Sequence, residues 1–237
     1  MKLCLKDQVR DFLEHRFGIR VFRSKFYPST YDRQNFPNAG THPVIFDVGA
    51  NTGQSVVAFK QYFPDATIYA FEPVAAIHNK LQQNTNNLPS VRLFQCALGK
   101  SKGVLDIPLV GSESVQTTQV LANSESVGGA CERINVSTVD EVAREHGVNQ
   151  ICILKTDTEG FDTEVCEGAA ELLREGRITY IVSEASIQPE DSQHTRFREL
   201  CDTLDAYRYA PRSFLDLVHA PGKQLWYFNV LFERLKS

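Results

Sequence analysis

From Val44 onward the sequence alternates short apolar runs with stretches of helical spacing, and this alternation restricts the chain to a parallel α/β architecture. Strands are expected at 44–48, 67–71, 91–97, 150–156 and 179–184, with helices near 54–62, 75–84, 139–146 and 162–174. Such an order builds βαβ units with right-handed crossovers. The helix from Val139 is bounded by Thr138-x-x-Glu141, a capping-box pattern, and by Gly147 at its end. A further helix is expected near 195–204. The apolar and aromatic run at 225–235 then suits a late strand, antiparallel at the sheet edge.

Two stretches stand outside the alternation. Residues 1–43 form an N-terminal extension: Val9, Phe12, Leu13 and Phe17 share one face of a helix stopped by Gly18, followed by an irregular connection carrying Pro28, Pro37, Gly40 and Pro43. That helix is read as either a dimer contact or a pocket lid. Within the main domain, residues 44–237, an insertion near 103–137 holds one extra strand at 103–110. A segment rich in Ser, Thr, Gly and Gln follows at 111–129, and it is read as a lid or substrate loop.

The composition excludes several classes of protein. A chain of 237 residues, 42% hydrophobic and 23% charged, has the balance of a globular domain that needs no covalent staples. Its net charge of -4 argues against a broad nucleic-acid footprint, although Arg16, Arg20, Arg23 and Lys25 gather some basic character. Cys4, Cys96, Cys131, Cys152, Cys166 and Cys201 are scattered without a C-x-x-C pair, so no metal cluster is expected. No run approaches a membrane span or a signal peptide, and a cytoplasmic location is expected.

The chemistry is carried by three strand ends. Val44-Ile-Phe-Asp-Val-Gly-Ala-Asn-Thr-Gly53 is an apolar strand that ends in an acid and a glycine-spaced turn into a helix. Its backbone can approach a ligand closely, and the helix start offers unpaired N–H groups. The G-x-x-x-G spacing departs from the G-x-G-x-x-G of dinucleotide enzymes, which disfavours NAD. The second strand ends in Phe71-Glu72-Pro73, where the Glu72 carboxylate can accept from both ribose hydroxyls of an adenosine. The third constellation, Leu154-Lys-Thr-Asp-Thr-Glu-Gly-Phe-Asp162, would aim Asp157 and Glu159 into the crevice at the carboxyl ends of the strands, beside Asp47 and Glu72. Asp162 and Glu164 are read as partners of the helix dipole.

In Asp47-Val-Gly-Ala-Asn-Thr-Gly53, Phe71-Glu-Pro73, Ala97-Leu-Gly99, Thr138-Val-Asp-Glu141 and Leu154-Lys-Thr-Asp-Thr-Glu-Gly160, the chain resembles the FkbM family of methyltransferases over about residues 44–185. Where that family usually has Ile-Asp-Val-Glu-Gly, this chain has Thr156-Asp-Thr-Glu-Gly160, with both acids retained. The resemblance implies a Rossmann-like class I methyltransferase fold: a seven-stranded, mostly parallel sheet with one antiparallel strand and helices on both faces. It also implies S-adenosyl-L-methionine as cofactor and O-methylation of a hydroxyl on a sugar, glycoconjugate or polyketide-like small molecule. Carried across, Asp47, Gly49, Ala50, Asn51 and Gly53 would hold the methionine part, Glu72 the ribose, and Cys96 and Ala97 would lie near the adenine.

For O-methylation the enzyme must position a hydroxyl against the methyl donor and accept its proton. Asp157 is the first choice as proton acceptor and Glu159 the second. Alternatively, Asp157 and Glu184 could hold a divalent cation, and His78, His194 and His219 are further bases to weigh. The competing functions are a non-catalytic cofactor-binding scaffold and an NAD-dependent oxidoreductase.

Overall fold

The computed structural model describes residues 29–108, 131–219 and 224–235. The expected helix within 3–17, its basic neighbours and the polar segment 111–129 lie outside them. The connection before the main domain is irregular apart from one 3-10 turn at Arg33–Asn35, whose entry is capped by Asp32 accepting the Gln34 N–H at 2.9 Å.

The core then alternates as its periodicity dictates: β1 (Val44–Val48), α1 (Gln54–Tyr62), β2 (Thr67–Phe71), α2 (Ala75–Thr85) and β3 (Val91–Phe94). A small second sheet follows, of β4 (Ala97–Leu98), β5 (Gly103–Pro108) and β6 (Cys131–Ser137), in the order β4-β6-β5. The main domain resumes with α3 (Val139–Glu145), β7 (Ile151–Thr156), α4 (Asp162–Glu167), α5 (Ala170–Glu175) and β8 (Ile178–Ser186). It closes with β9 (Thr195–Arg196), α6 (Phe197–Asp205), β10 (Tyr209–His219) and β11 (Leu225–Arg234).

The large sheet runs β3-β2-β1-β7-β8-β11-β10, with β9 pairing β8 off that path. Strands β1, β2, β3, β7 and β8 pair in parallel, and β11 is antiparallel to both its neighbours. This is the expected arrangement of seven main strands with one reversed. The reversed strand, however, is not at the edge: β11 is inserted between β8 and β10. Phe228, Val230, Leu231 and Phe232 are accordingly buried, whereas β10 is mostly exposed. The strand β10 was not anticipated, because Pro211, Arg212 and Asp216 and register shifts between Pro211 and Val218 obscure its alternation.

Side chains alternate across the sheet into two cores. Phe46, Val48, Tyr69 and Phe71 face α3 to α6, meeting Val142, Val165, Leu172 and Leu200. Ile45, Ile68, Ala70 and Val182 face α1 and α2, meeting Val56, Phe59 and Leu81. Each fully buried aromatic or aliphatic side chain here is worth roughly 2–3 kcal/mol of transfer free energy. The helix expected at 162–174 divides into α4 and α5 around Gly168. A Cβ there would stand 2.0 Å from the Gly99 carbonyl oxygen, so the bend lets the second sheet approach the main domain. Helix α3 has its expected start, with Thr138 Oγ1 accepting the Glu141 N–H at 3.1 Å. The Glu141 carboxylate instead takes Ser137 and Lys102, so only half of the capping box forms.

Candidate functional site

The order of the sheet reverses between β1 and β7, and at such a switch point the loops leaving the two strands diverge and open a crevice at their carboxyl ends. The loop after β1 forms one wall. The N–H groups of Gly49 and Ala50 both donate to the Phe71 carbonyl, at 3.1 and 3.0 Å, which hangs the turn on the end of β2. The backbone is left-handed at Gly49, at Asn51 and at Gly53, the residue that caps α1. Gly49 is constrained twice, because a Cβ on it would lie 1.9 Å from the Asp157 carbonyl oxygen. Asn51 tolerates a φ of 48° while its side-chain oxygen accepts the Thr52 N–H at 2.7 Å.

Beneath this loop lies a buried charge network. Register pairs Asp47 on β1 with Lys155 on β7, so the two side chains share the α1 face of the sheet. One Asp47 oxygen accepts from Ser55 Oγ at 2.5 Å, and the other lies 3.2 Å from the Lys155 ammonium as an ion pair rather than a hydrogen bond. The ammonium donates to Asp157 Oδ2 at 3.2 Å and to the Gly49 carbonyl at 3.4 Å. Burial alone would lower the Lys155 pKa, but the Asp157 and Asp47 carboxylates outweigh it and raise it. The two carboxylates thus favour the charged form of the lysine.

The crevice contains a cavity of about 400 Å³, the size of ordinary small-ligand sites. Gly49 and Asn51 after β1 and Asp157, Thr158 and Glu159 after β7 line it. Phe71, Ile77, Cys96, Ala97 and Leu98 make an apolar end, roofed by Leu105, Ile107, Ile134 and Val136 of the second sheet. Asp47, Ala50 and Gly53 are buried behind this wall rather than on it. Glu72 lines the cavity while buried in protein; burial raises its pKa to about 7 against the N–H groups of Val74 and Asn51, which favour the ionised form. Burial also lifts the Cys96 thiol to about 11, leaving it a small apolar lining group.

At the other end, Glu159 has a left-handed φ of 53°. Its carboxyl is pushed up by burial and by the neighbouring Asp157 and Glu184. Thr158, also on the wall, keeps a buried hydroxyl without a hydrogen-bond partner, a group that a bound ligand could satisfy.

Of the three histidines weighed as bases, His194 is committed elsewhere. Its ring nitrogens reach Asp191 at 2.8 Å and Glu184 at 3.2 Å, and it stacks on Tyr227. Burial would lower its pKa, but the hydrogen bonds to Glu184 and Asp191 overcome this and bring it to about 9. No three His, Cys, Asp or Glu side chains converge as a metal site among the described residues. Lys155, the Glu184–His194–Asp191 bridge and the strand β6 that pairs with β5 were not anticipated. The one available signal was a lysine inside the apolar run Ile151-Cys-Ile-Leu-Lys-Thr156, since a buried lysine requires a carboxylate partner.

This strand order, with one reversed strand and a nucleoside-sized cavity at the β1/β7 switch, defines an S-adenosylmethionine-dependent methyltransferase of the Rossmann-like class I fold. The residues fit that cofactor: a carboxylate at the end of β2 for the ribose, an apolar end for the adenine, and a close-approach loop for the methionine part. The FkbM methyltransferase domain matches residues 47–211, and the chain belongs to this family.

Methyltransferase sdnD of Sordaria araneosa is 29% identical over 64% of this chain and 68% of its own length. The 2-O-methyltransferase NoeI of Sinorhizobium fredii is 25% identical over 86% of each chain. The hexuronic acid methyltransferase AglP of Haloferax volcanii is 24% identical over 62% of this chain and 59% of its own. Among solved structures, an rRNA methylase from Streptococcus thermophilus has a TM-score of 0.49 at 12% identity, covering 85% of this chain and 92% of that one. No helix among the described residues is long and apolar enough to cross a membrane.

Proposed function

We propose that this methyltransferase acts on a hydroxyl of a sugar, glycoconjugate or polyketide-like small molecule. The observation that carries the reading is Asp157: its carboxylate lines the cavity, 40% exposed, while Lys155 holds it against the glycine loop. The relatives named for 2-O-methylation and for hexuronic acid methylation support a sugar acceptor.

In this reading Gly49 and Asn51 contact the methionine part of the cofactor, with Asp47, Ala50 and Gly53 shaping the loop from behind. Glu72 accepts from the ribose hydroxyls, and Cys96 and Ala97 flank the adenine. Bound there, S-adenosylmethionine supplies an electrophilic methyl group on a sulfonium. The cofactor would supply its methyl group to the acceptor hydroxyl, and the Asp157 carboxylate would take the hydroxyl proton. Glu159 is the second candidate for that proton. The segment 111–130 within the insertion and the N-terminal extension 1–43 are proposed to select the acceptor.

Calorimetry with S-adenosylmethionine, S-adenosylhomocysteine and NAD tests the cofactor first, and a methyl-transfer screen over hydroxylated sugars and metabolites tests the acceptor. Binding of the two methionine nucleotides but not NAD, with methyl transfer to a hydroxyl, is expected. Binding without transfer to any acceptor would favour a non-catalytic scaffold, and NAD binding would favour an oxidoreductase.

A further inference from the structure

Lysine inside a fully buried parallel strand demands explanation. All six residues of β7 are buried, and an unpaired ammonium there would cost several kcal/mol. Asp47, its register partner, is by itself enough to neutralise it. The ammonium nevertheless turns two of its three N–H donors elsewhere, to the Gly49 carbonyl and to Asp157 Oδ2. These acceptors belong to the two adjoining loops, after β1 and after β7, that both line the cavity.

A second set of contacts ties the same loops together. The Asp157 N–H donates to the Val48 carbonyl at 3.1 Å, and only a glycine at position 49 admits the Asp157 carbonyl beside it. The Asp157 side chain has no such backbone constraint. Lys155 is what restrains it, occupying one carboxylate oxygen and leaving the other for a ligand.

We propose that Lys155 is a positioning residue that fixes the Asp157 carboxylate relative to the cofactor loop, so that occupation of the cofactor end is felt at the acceptor end. This rests on the reading of the cavity as the cofactor and acceptor site. Lys155 does not line the cavity; it acts through Gly49 and Asp157. A shift of the Gly49 carbonyl when the loop closes on a ligand redistributes the ammonium's hydrogen bonds, and the Asp157 carboxylate follows. The coupling is a shared proton donor, a contiguous physical link rather than mere proximity.

The side-chain ammonium resonances of 15N-labelled protein test this, with S-adenosylhomocysteine as the probe. An ammonium buried among two carboxylates and a carbonyl should exchange slowly enough to be visible at pH 7, unlike those of exposed lysines. Its signal is assigned by its loss in the charge-neutral double variant Lys155→Met/Asp47→Asn. The expected result is a Lys155 signal displaced by Asp157→Asn and displaced again by S-adenosylhomocysteine, saturating at the Kd found by calorimetry.

In the double variant, affinity should be weaker than in Asp47→Asn alone by about tenfold, with folding of both checked by circular dichroism. Calorimetric saturation with the Lys155 signal unmoved, or equal affinity in the two folded variants, would overturn the proposal. So would a Lys155 signal missing at pH 7. A ligand that gives no heat at all would instead remove the cofactor reading beneath it, and the calorimetry tells the two failures apart.

Discussion

At the scale of single residues, burial pushes the carboxyl groups of Glu72 and Glu159 in the site above the usual carboxylate range. Glu72 is buried, and its pKa near 7 lies above that of an exposed glutamate, so the folded protein binds its proton more tightly than the unfolded chain does. The stability this gives is complete below about pH 4.5 and is lost as pH rises through 7. Glu72→Gln should therefore stabilise the cofactor-free protein at pH 8, by about 3 kcal/mol at most, and leave it unchanged at pH 4; urea melts at the two values check this. Because the ionised carboxylate is the better partner for ribose hydroxyls, S-adenosylhomocysteine affinity should rise from pH 6 to pH 8 in the parent and stay flat in the variant. In the proposed mechanism Asp157 serves the acceptor rather than the cofactor. Asp157→Asn should keep S-adenosylhomocysteine affinity within a few-fold while single-turnover methyl transfer falls by about a hundredfold. Unchanged turnover would assign the proton to another group, with Glu159 next in line.

Among the secondary-structure elements, stability is set where short helices borrow caps from neighbours. Helix α5 begins at Ala170 with no side-chain cap of its own. Asp140 on α3 provides one from a distance, its two oxygens accepting the N–H groups of Glu171 and Leu172 at 2.8 and 3.0 Å. Asp140→Ala should cost about 1–2 kcal/mol in chemical denaturation without altering cofactor affinity. The sequence reading treated Asp140 only as part of the Thr138-to-Glu141 start of its own helix, because a cap provided by another helix leaves no local pattern. The elements that were read correctly, β1, β2, α1 and β7, have strong local periodicity and terminal signals. Those that were missed, β6 and β10, are strands with mixed or largely exposed faces, whose identity comes from pairing: β6 with β4 and β5, and β10 with β11.

For the molecule as a whole, β8, β11 and the loop after β8 are tied together by a bridge that crosses three parts of the chain. His194 links Glu184 of β8 to Asp191 in the following loop and stacks at 4.3 Å on Tyr227 of β11. A histidine whose pKa rises to about 9 on folding contributes stability that is complete below about pH 6.5 and is lost as pH rises through 9. His194→Gln should lower the Tm at pH 6 and differ much less from the parent at pH 10; an equal deficit at both would mean that packing on Tyr227, rather than charge, holds the bridge. The sequence by itself determined the βαβ class, the glycine loop, the acid at the end of β2 and the acids after β7, since each is written in consecutive residues. Only the tertiary structure decided that β11 lies inside the sheet, that Asp47 stands behind the cavity wall, and that Lys155 contacts Asp47, Asp157 and the Gly49 carbonyl at once. Strand order and register bring together groups such as Asp47 and Lys155 that are far apart along the chain, and no local pattern encodes which strand will lie beside which.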